Sequence, residues 1–298
     1  MVYPGGGRDA VQDVAVQTYA RDCTGSRGDI GDDTAVSPAR PSHPRTWSLV
    51  DPEVAAVLHW WTENARQLPW RTSRDPYAIL VAEVMSAQTT VVRAAAAWER
   101  WMGRWPTVEA LATASLADVL GQWQGLGYPR RARDLHRSAR IVAESGWPEE
   151  LKDLPGVGAY TASAVRCFAR EAPVLPLDVN VSRVLRRRFP GGVDIAGDPW
   201  RAGQAMMEFG QRICSARPRC DVCPVRDGCA GPSEASGPPE SRRRRPFEGS
   251  LRQRRGRLLR RVIAEGAVTV AEVDGEAAVG LARDGLAVLV DGRLLAPL

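Results

Sequence analysis

"LPGVGAYTASAV", residues 154–165, is a Pro-Gly-Val-Gly turn that opens directly onto a helical stretch. Its glycines, Gly156 and Gly158, allow a tight bend and a close approach of backbone to a neighbour. The turn is flanked by "RRARDLHRSARIVAES" (130–145) and "YTASAVRCFAR" (160–170), both with helical spacing. A helix that starts this way offers free N–H groups and the positive end of its dipole to an anion. A phosphate of a nucleic-acid backbone is the natural guest of Gly156, Val157 and Gly158. A plain helix-to-helix connection is the other reading of the same residues.

Outward from the turn, the text stays helical. Helical patterns occupy "DPEVAAVLHWWTENAR" (51–66), "TVEALATAS" (107–115), "LADVLGQWQ" (116–124), "NVSRVLRRRF" (180–189) and "PWRAGQAMMEFGQRIC" (199–214). The stretch 76–105 reads as two helices broken near Ser86–Thr90. No region alternates like several strands in sequence, so the body is mainly α. Residues 1–48 lack periodicity and are expected to be disordered, with Cys23 a free thiol. Residues 231–250 read as a basic linker. Residues 251–298 give a basic helix, a small helix or two and a hairpin turning at Asp291–Gly292, a pattern that suggests a small winged-helix-like module.

The 298 residues carry a net charge of +5, distributed unevenly. Glu240 to Arg261 holds ten arginines against two glutamates, a local +8, so the rest of the chain sums to −3. Such a run is a phosphate-contacting patch or a solvated tail. A hydrophobic fraction of 44% supports a real core, while no apolar run approaches a membrane span and no signal-peptide pattern opens the chain. A soluble, cytoplasmic and nucleoid-associated protein is expected, acting as a monomer without a membrane. A disulfide framework is disfavoured in that compartment. Four of the six cysteines, Cys214, Cys220, Cys223 and Cys229, fall within sixteen residues at C-x5-C-x2-C-x5-C spacing. Four thiolates can hold Zn²⁺ or a [4Fe–4S] cluster, and a compact loop suits the cube. Arg212, Arg217, Arg219 and Arg226 flank them and would offset their charge.

Two carboxylates stand in telling places. Glu83 lies inside the apolar "AEVM" (82–85); if buried, its proton affinity rises to what a general acid needs at neutral pH. Otherwise it is an exposed or paired residue. Asp178, in "PLDVNVSRVLRR", sits just ahead of a helix, where it or Asn180 could simply be the cap.

Taken in order, "LPWR" (68–71), "AEVM", "GLGY" (125–128), "LPGVGAYT", "LDVNVSRV" (177–184), "QAMMEFG" (204–210) and the cysteine loop resemble the helix-hairpin-helix (HhH-GPD) DNA glycosylase superfamily, and within it the MutY-type adenine glycosylases. The resemblance runs from about Asp51 to Ala230. It implies two helical lobes (residues 49–213) followed by an iron–sulfur cluster loop (214–230), with the target base in the cleft between the lobes. It implies Glu83 as the acid that protonates the adenine ring and Asp178 as the carboxylate that stabilises the sugar cation, the pairing used in glycoside hydrolysis. Tyr160 and Asn180 match their active-site neighbours. Arg66, Leu68, Trp70 and Glu208 match the pocket for the extruded base, and Gln88, Thr89, Leu126 and Tyr128 match residues that wedge into the duplex. The cysteines would carry [4Fe–4S].

This chain departs from the family pattern in four places. The first cysteine gap is five residues where six is usual. "SAQT" (86–89) replaces "LQQT", Pro129 stands where a second tyrosine is common, and the C-terminal region is short for a Nudix-like domain that reads 8-oxoguanine. Tyr160 occupies the place of the Schiff-base lysine of bifunctional members, and the chain's one lysine is Lys152, so a monofunctional enzyme is expected. The expected substrate is double-stranded DNA with adenine opposite 8-oxoguanine or guanine. Two alternatives are a mismatch thymine, uracil or other modified-base glycosylase of the same superfamily and a non-catalytic iron–sulfur DNA-binding regulator.

Overall fold

The computed structural model describes residues 52–231 and 247–298. The expectations for residues 1–48, for Cys23 and for Arg242 to Arg245 of the linker lie outside the described residues. Eleven α-helices make up most of the described chain: α1 (Pro52–Asn64), α2 (Pro76–Ser86), α3 (Val91–Arg104), α4 (Val108–Ala112), α5 (Leu116–Gln122), α6 (Arg130–Ser145), α7 (Ala159–Arg170), α8 (Val179–Arg188), α9 (Pro199–Arg212), α10 (Leu251–Glu265) and α11 (Gly275–Arg283). Local chemistry sets many of their starts. Asp75, Thr107, Ser115, Asp178, Asp198, Ser250 and Asp274 each accept a backbone N–H of the turn they cap, and proline follows directly after Asp75 and Asp198.

Two hydrophobic clusters divide the body. The first gathers α2 to α7 around Trp101, Trp105 and Trp123, whose rings meet edge to face. The second joins α1, α8 and α9 to Cys214 and Val225 of the cysteine run. Helix α2 is the central element of the first cluster. Tyr77 to Ala82 and Met85 are all buried, so the helix is apolar on nearly every side. Tyr77 donates its hydroxyl to the Trp105 carbonyl (3.0 Å) and accepts Trp101 Nε1 (3.0 Å). Glu83 is the one carboxylate on this helix.

After the cysteines, α10 and α11 surround a three-stranded antiparallel sheet of β1 (Ala267–Thr269), β2 (Val288–Val290) and β3 (Arg293–Leu295), ordered β1-β3-β2. The hairpin turns at Asp291 (φ 46°) and Gly292 (φ 72°), the left-handed pair that suits a two-residue connection. Strand β1 was not expected; at three residues it is too short to show alternation. Leu258, Val262, Leu281, Leu286 and Leu294 belong to the first cluster, so this region shares its core with the first lobe. The Leu298 and Pro297 carbonyls also accept the N–H groups of Leu116 and Ala117 at the start of α5.

The arginines of α10 are less available than their number suggests. Arg254 pairs with Asp274 and Glu276, Arg255 with Asp284, and Arg261 with Glu265. Half of this helix's six arginines therefore serve internal ion pairs.

Candidate active site

Helix α2 packs against α7, the helix that follows the glycine turn, and this brings Glu83 and Tyr160 together. Asp178 enters from the start of α8. Burial pushes the Glu83 carboxyl up to about 7; hydrogen bonding with Tyr160 works against the rise, and the charge of Asp178 adds to it. Burial also pushes the Tyr160 hydroxyl well above its ordinary range, with the charge of Glu83 next in weight, so it stays a phenol. The three groups thus form one electrostatic set in which Glu83 keeps a proton near neutrality.

Asp178 is the cap of α8 and also acts electrostatically on Glu83. Its Oδ1 accepts the Asn180 and Val181 N–H groups (2.8 and 2.7 Å), and its Oδ2 accepts Asn180 Nδ2 (2.7 Å). Arg183, one turn on, donates to Asn180 Oδ1 (2.6 Å), to the Gly210 carbonyl (3.0 Å) and, through Nε, to the Cys214 carbonyl (2.8 Å). One guanidinium therefore links the carboxylate, α9 and the first cysteine. Sequence reasoning did not single out Arg183. Its i+3 spacing from Asn180 on a helix was the available signal.

Glu208 is placed differently from the pocket-lining role expected of it. Its side chain is 0% exposed. Oε1 accepts Arg66 Nε (2.7 Å) and Oε2 accepts Arg71 Nη2 (2.7 Å), while the Arg66 N–H and Trp61 Nε1 approach at 3.2 Å. Burial alone would raise its pKa, but the hydrogen bond and charge of Arg71, then Arg66, prevail and hold the carboxyl below its ordinary value. Glu208 ties α1, the Pro69–Thr72 turn and α9 together, and its oxygens are already occupied by these donors. Arg212, expected beside the thiolates, also reaches Glu208 (3.4 Å). Arg71, unassigned from sequence, is the main partner. In the same turn Leu68 is half-buried, and Trp70 meets Trp98 edge to face at 6.3 Å.

The glycine turn fits its expected form. Gly156 is left-handed (φ 76°), and a Cβ there would lie 3.0 Å from Asp134 Cβ, so only glycine suits the position. Ser138 Oγ anchors the turn through the Pro155 carbonyl (2.9 Å), Val157 is buried, and Gly158 starts α7 with no side-chain cap. The two loops expected to wedge into the duplex are bound to each other. Tyr128 donates to Gln88 Oε1 (3.2 Å), and Thr89 Oγ1 reaches the Leu126 carbonyl (3.5 Å). Gln88 and Tyr128 are both left-handed and exposed, whereas Leu126 is 7% exposed and packed in the first core. Its carbonyl, not its side chain, serves the loop.

Cys214, Cys220, Cys223 and Cys229 line one cavity of about 320 Å³ with Arg187, Arg219 and Arg226. Burial, and then the nearby thiols, push Cys223 upward despite a backbone hydrogen bond at Val225. Arg187, buried and not anticipated, donates to Cys214 Sγ (3.7 Å) and the Ser215 carbonyl (2.9 Å). Among the described residues no helix is long and apolar enough to cross a membrane.

This is the architecture of the helix-hairpin-helix DNA glycosylases. The family model described as HhH-GPD superfamily base excision DNA repair protein matches residues 81–192. A solved thermostable thymine-DNA glycosylase is similar over 59% of this chain and 93% of its own, with 28% identity and a TM-score of 0.54. A structure of endonuclease III in a non-covalent DNA complex shares the fold at 23% identity and a TM-score of 0.50, over 59% of this chain and 91% of its own. The adenine DNA glycosylase of Mycobacterium tuberculosis is 42% identical over 250 residues, covering 73% of this chain and 81% of that protein. The chain belongs to that family, the adenine DNA glycosylases of base excision repair.

Proposed function

We propose that the chain hydrolyses the N-glycosidic bond of adenine mispaired with 8-oxoguanine, and more slowly with guanine, without cutting the strand. The observation that carries this reading is the Glu83 carboxyl, raised to about 7 beside Tyr160 and Asp178. With the adenine turned out of the duplex, Glu83 gives its proton to a ring nitrogen. The electron pair of the C1′–N bond then leaves with the base, and the sugar cation forms next to Asp178. Water completes the sugar, and its proton returns to the carboxylates. Asn180 holds Asp178 in its cap-bound geometry, and Arg183 holds Asn180 in turn. Arg66, Leu68 and Trp70 border the pocket, and Glu208 braces it through the arginines.

Tyr160 stays a phenol and offers no amine, and Lys152 lies exposed in the turn Leu151–Asp153 before the hairpin. The absence of an amine at the site supports the monofunctional assignment. The four cysteines suit a [4Fe–4S] cluster. They line one cavity together with Arg187, Arg219 and Arg226, and four thiolates are the ligand set such a cube takes. Such a cluster would supply loop structure and no bond chemistry, and the charge offered to DNA would come from the exposed Arg217, Arg219 and Arg226. The two helical lobes, the cluster loop and a winged-helix-like C-terminal module make the domain plan. The enzyme would work as a monomer on nucleoid DNA in the cytoplasm.

The test is a panel of duplexes carrying A, T, U or C opposite 8-oxoguanine or guanine, treated with alkali after single-turnover incubation. Excision of adenine, faster opposite 8-oxoguanine, is expected. Cleavage at thymine or uracil with adenine untouched would contradict the reading.

A further inference from the structure

Tyr128, at the tip of the wedge loop, is 46% exposed and has a neighbour from the far end of the chain. The Arg252 guanidinium of α10 lies 5.3 Å from the Tyr128 ring centroid and 5.0 Å from that of Phe247. Arg131 approaches the Tyr128 ring as well, at 5.5 Å. Phe247 is 55% exposed, yet it is fixed in place. Ser250 donates both its N–H (3.2 Å) and its hydroxyl (2.6 Å) to the Phe247 carbonyl. Ser250 also caps α10 by accepting the Gln253 N–H, and Gln253 Oε1 accepts the Gly249 N–H (2.8 Å). The turn before α10 is therefore a built feature.

Arg252 differs from its neighbours on the helix. Arg254, Arg255 and Arg261 are spent on carboxylates, whereas Arg252, like Arg257 and Arg260, has no ion pair among the described residues and, unlike them, lies over aromatic rings. Its contacts are with ring faces. A guanidinium stacked on aromatic faces keeps its N–H edge available for the planar recognition of phosphate. The shared core and the carbonyl caps on α5 fix the whole C-terminal region against the first lobe, so the fold itself seats this cation beside Tyr128, which in turn is bonded to Gln88.

We propose that Arg252, seated between Tyr128 and Phe247, binds a backbone phosphate of the DNA next to the wedge. The C-terminal region would thereby extend the DNA-binding surface of the catalytic lobes. This rests on the reading that Gln88 and Tyr128 face the duplex. It does not depend on which base is removed.

The experiment is binding of Arg252→Ala to an undamaged duplex across a salt series, with Arg261→Ala as the control for bulk charge. Each phosphate contact contributes about 0.9 to the slope of log affinity on log salt for duplex DNA. Arg252→Ala should weaken binding several-fold and flatten that slope by about this amount. Arg261→Ala should leave the slope unchanged. A parent-like slope for Arg252→Ala would overturn the proposal. So would equal flattening by both variants, which would assign the effect to net charge. Because the duplex is undamaged, failure here is separable from failure of the adenine assignment, which the base panel reads.

Discussion

Glu83 and Glu208 are both glutamates drawn into the protein, Glu83 in part and Glu208 wholly, yet their surroundings drive them in opposite directions. Glu83 has a phenol and a carboxylate for company and is pushed up to about 7. Glu208 has Arg71 and Arg66 and is held below its ordinary value although its side chain is completely buried. Burial without a cation stores a proton, while burial against two guanidiniums fixes a permanent anion. The first arrangement suits proton transfer and the second suits holding three elements in register. The family motifs lead one to expect both residues at the target base, and only their partners separate a carboxyl that keeps its proton from one that stays an anion.

The largest effect expected from this contrast is on rate. Glu83→Gln keeps the shape and loses the transferable proton, so single-turnover excision should fall ~10²–10⁴-fold while duplex binding persists. Asp178→Asn should lose a similar factor, because its amide cannot stabilise a sugar cation. A near-parent rate in either variant would remove that residue from the mechanism. Glu208→Gln should act on stability instead. It leaves the buried Arg71 without its anion, and removing one partner of such a pair costs roughly 3–5 kcal/mol. Thermal or denaturant melting reads this directly, and a stable Glu208→Gln protein with impaired chemistry would reverse the roles drawn here.

A smaller effect separates the two residues through pH. The folded-state pKa of Glu83 is raised from 4.5 to about 7. Its protonated form therefore favours folding fully below about 4.5, and this contribution is lost as pH rises through 7. Glu83→Gln does not titrate, so it should gain on the parent between pH 4.5 and 7, by up to about 3 kcal/mol at pH 8. Melting the two proteins in parallel from pH 4 to pH 8 tests this, and a constant difference between them would contradict it.

Much of the fold could be read from residue patterns because its helices are amphipathic and carry capping residues at their starts. The break after Ser86, the glycine turn and the Asp291–Gly292 hairpin all announce themselves locally. Strand β1 did not, since three residues give no period. The candidate site divides the same way. Glu83, Asp178 and Tyr160 stand in recognisable motifs, while the contacts of Glu208 span more than 130 residues to Arg71 and more than 140 to Arg66. Arg252 lies inside a charge run in which paired and unpaired arginines look alike. Pairing with Asp274, Glu276 or Asp284 is set by the tertiary fold, which local sequence does not reveal.

The most direct measurement is a carbon-13 NMR titration of glutamate carboxyls in the parent, Glu83→Gln and Glu208→Gln proteins between pH 3 and pH 9. The parent should show one carboxyl with its midpoint near 7 that disappears in Glu83→Gln. The signal lost in Glu208→Gln should stay in its ionised position until well below pH 4.5. A Glu83 midpoint in the ordinary glutamate range, or a Glu208 midpoint near neutrality, would contradict the account.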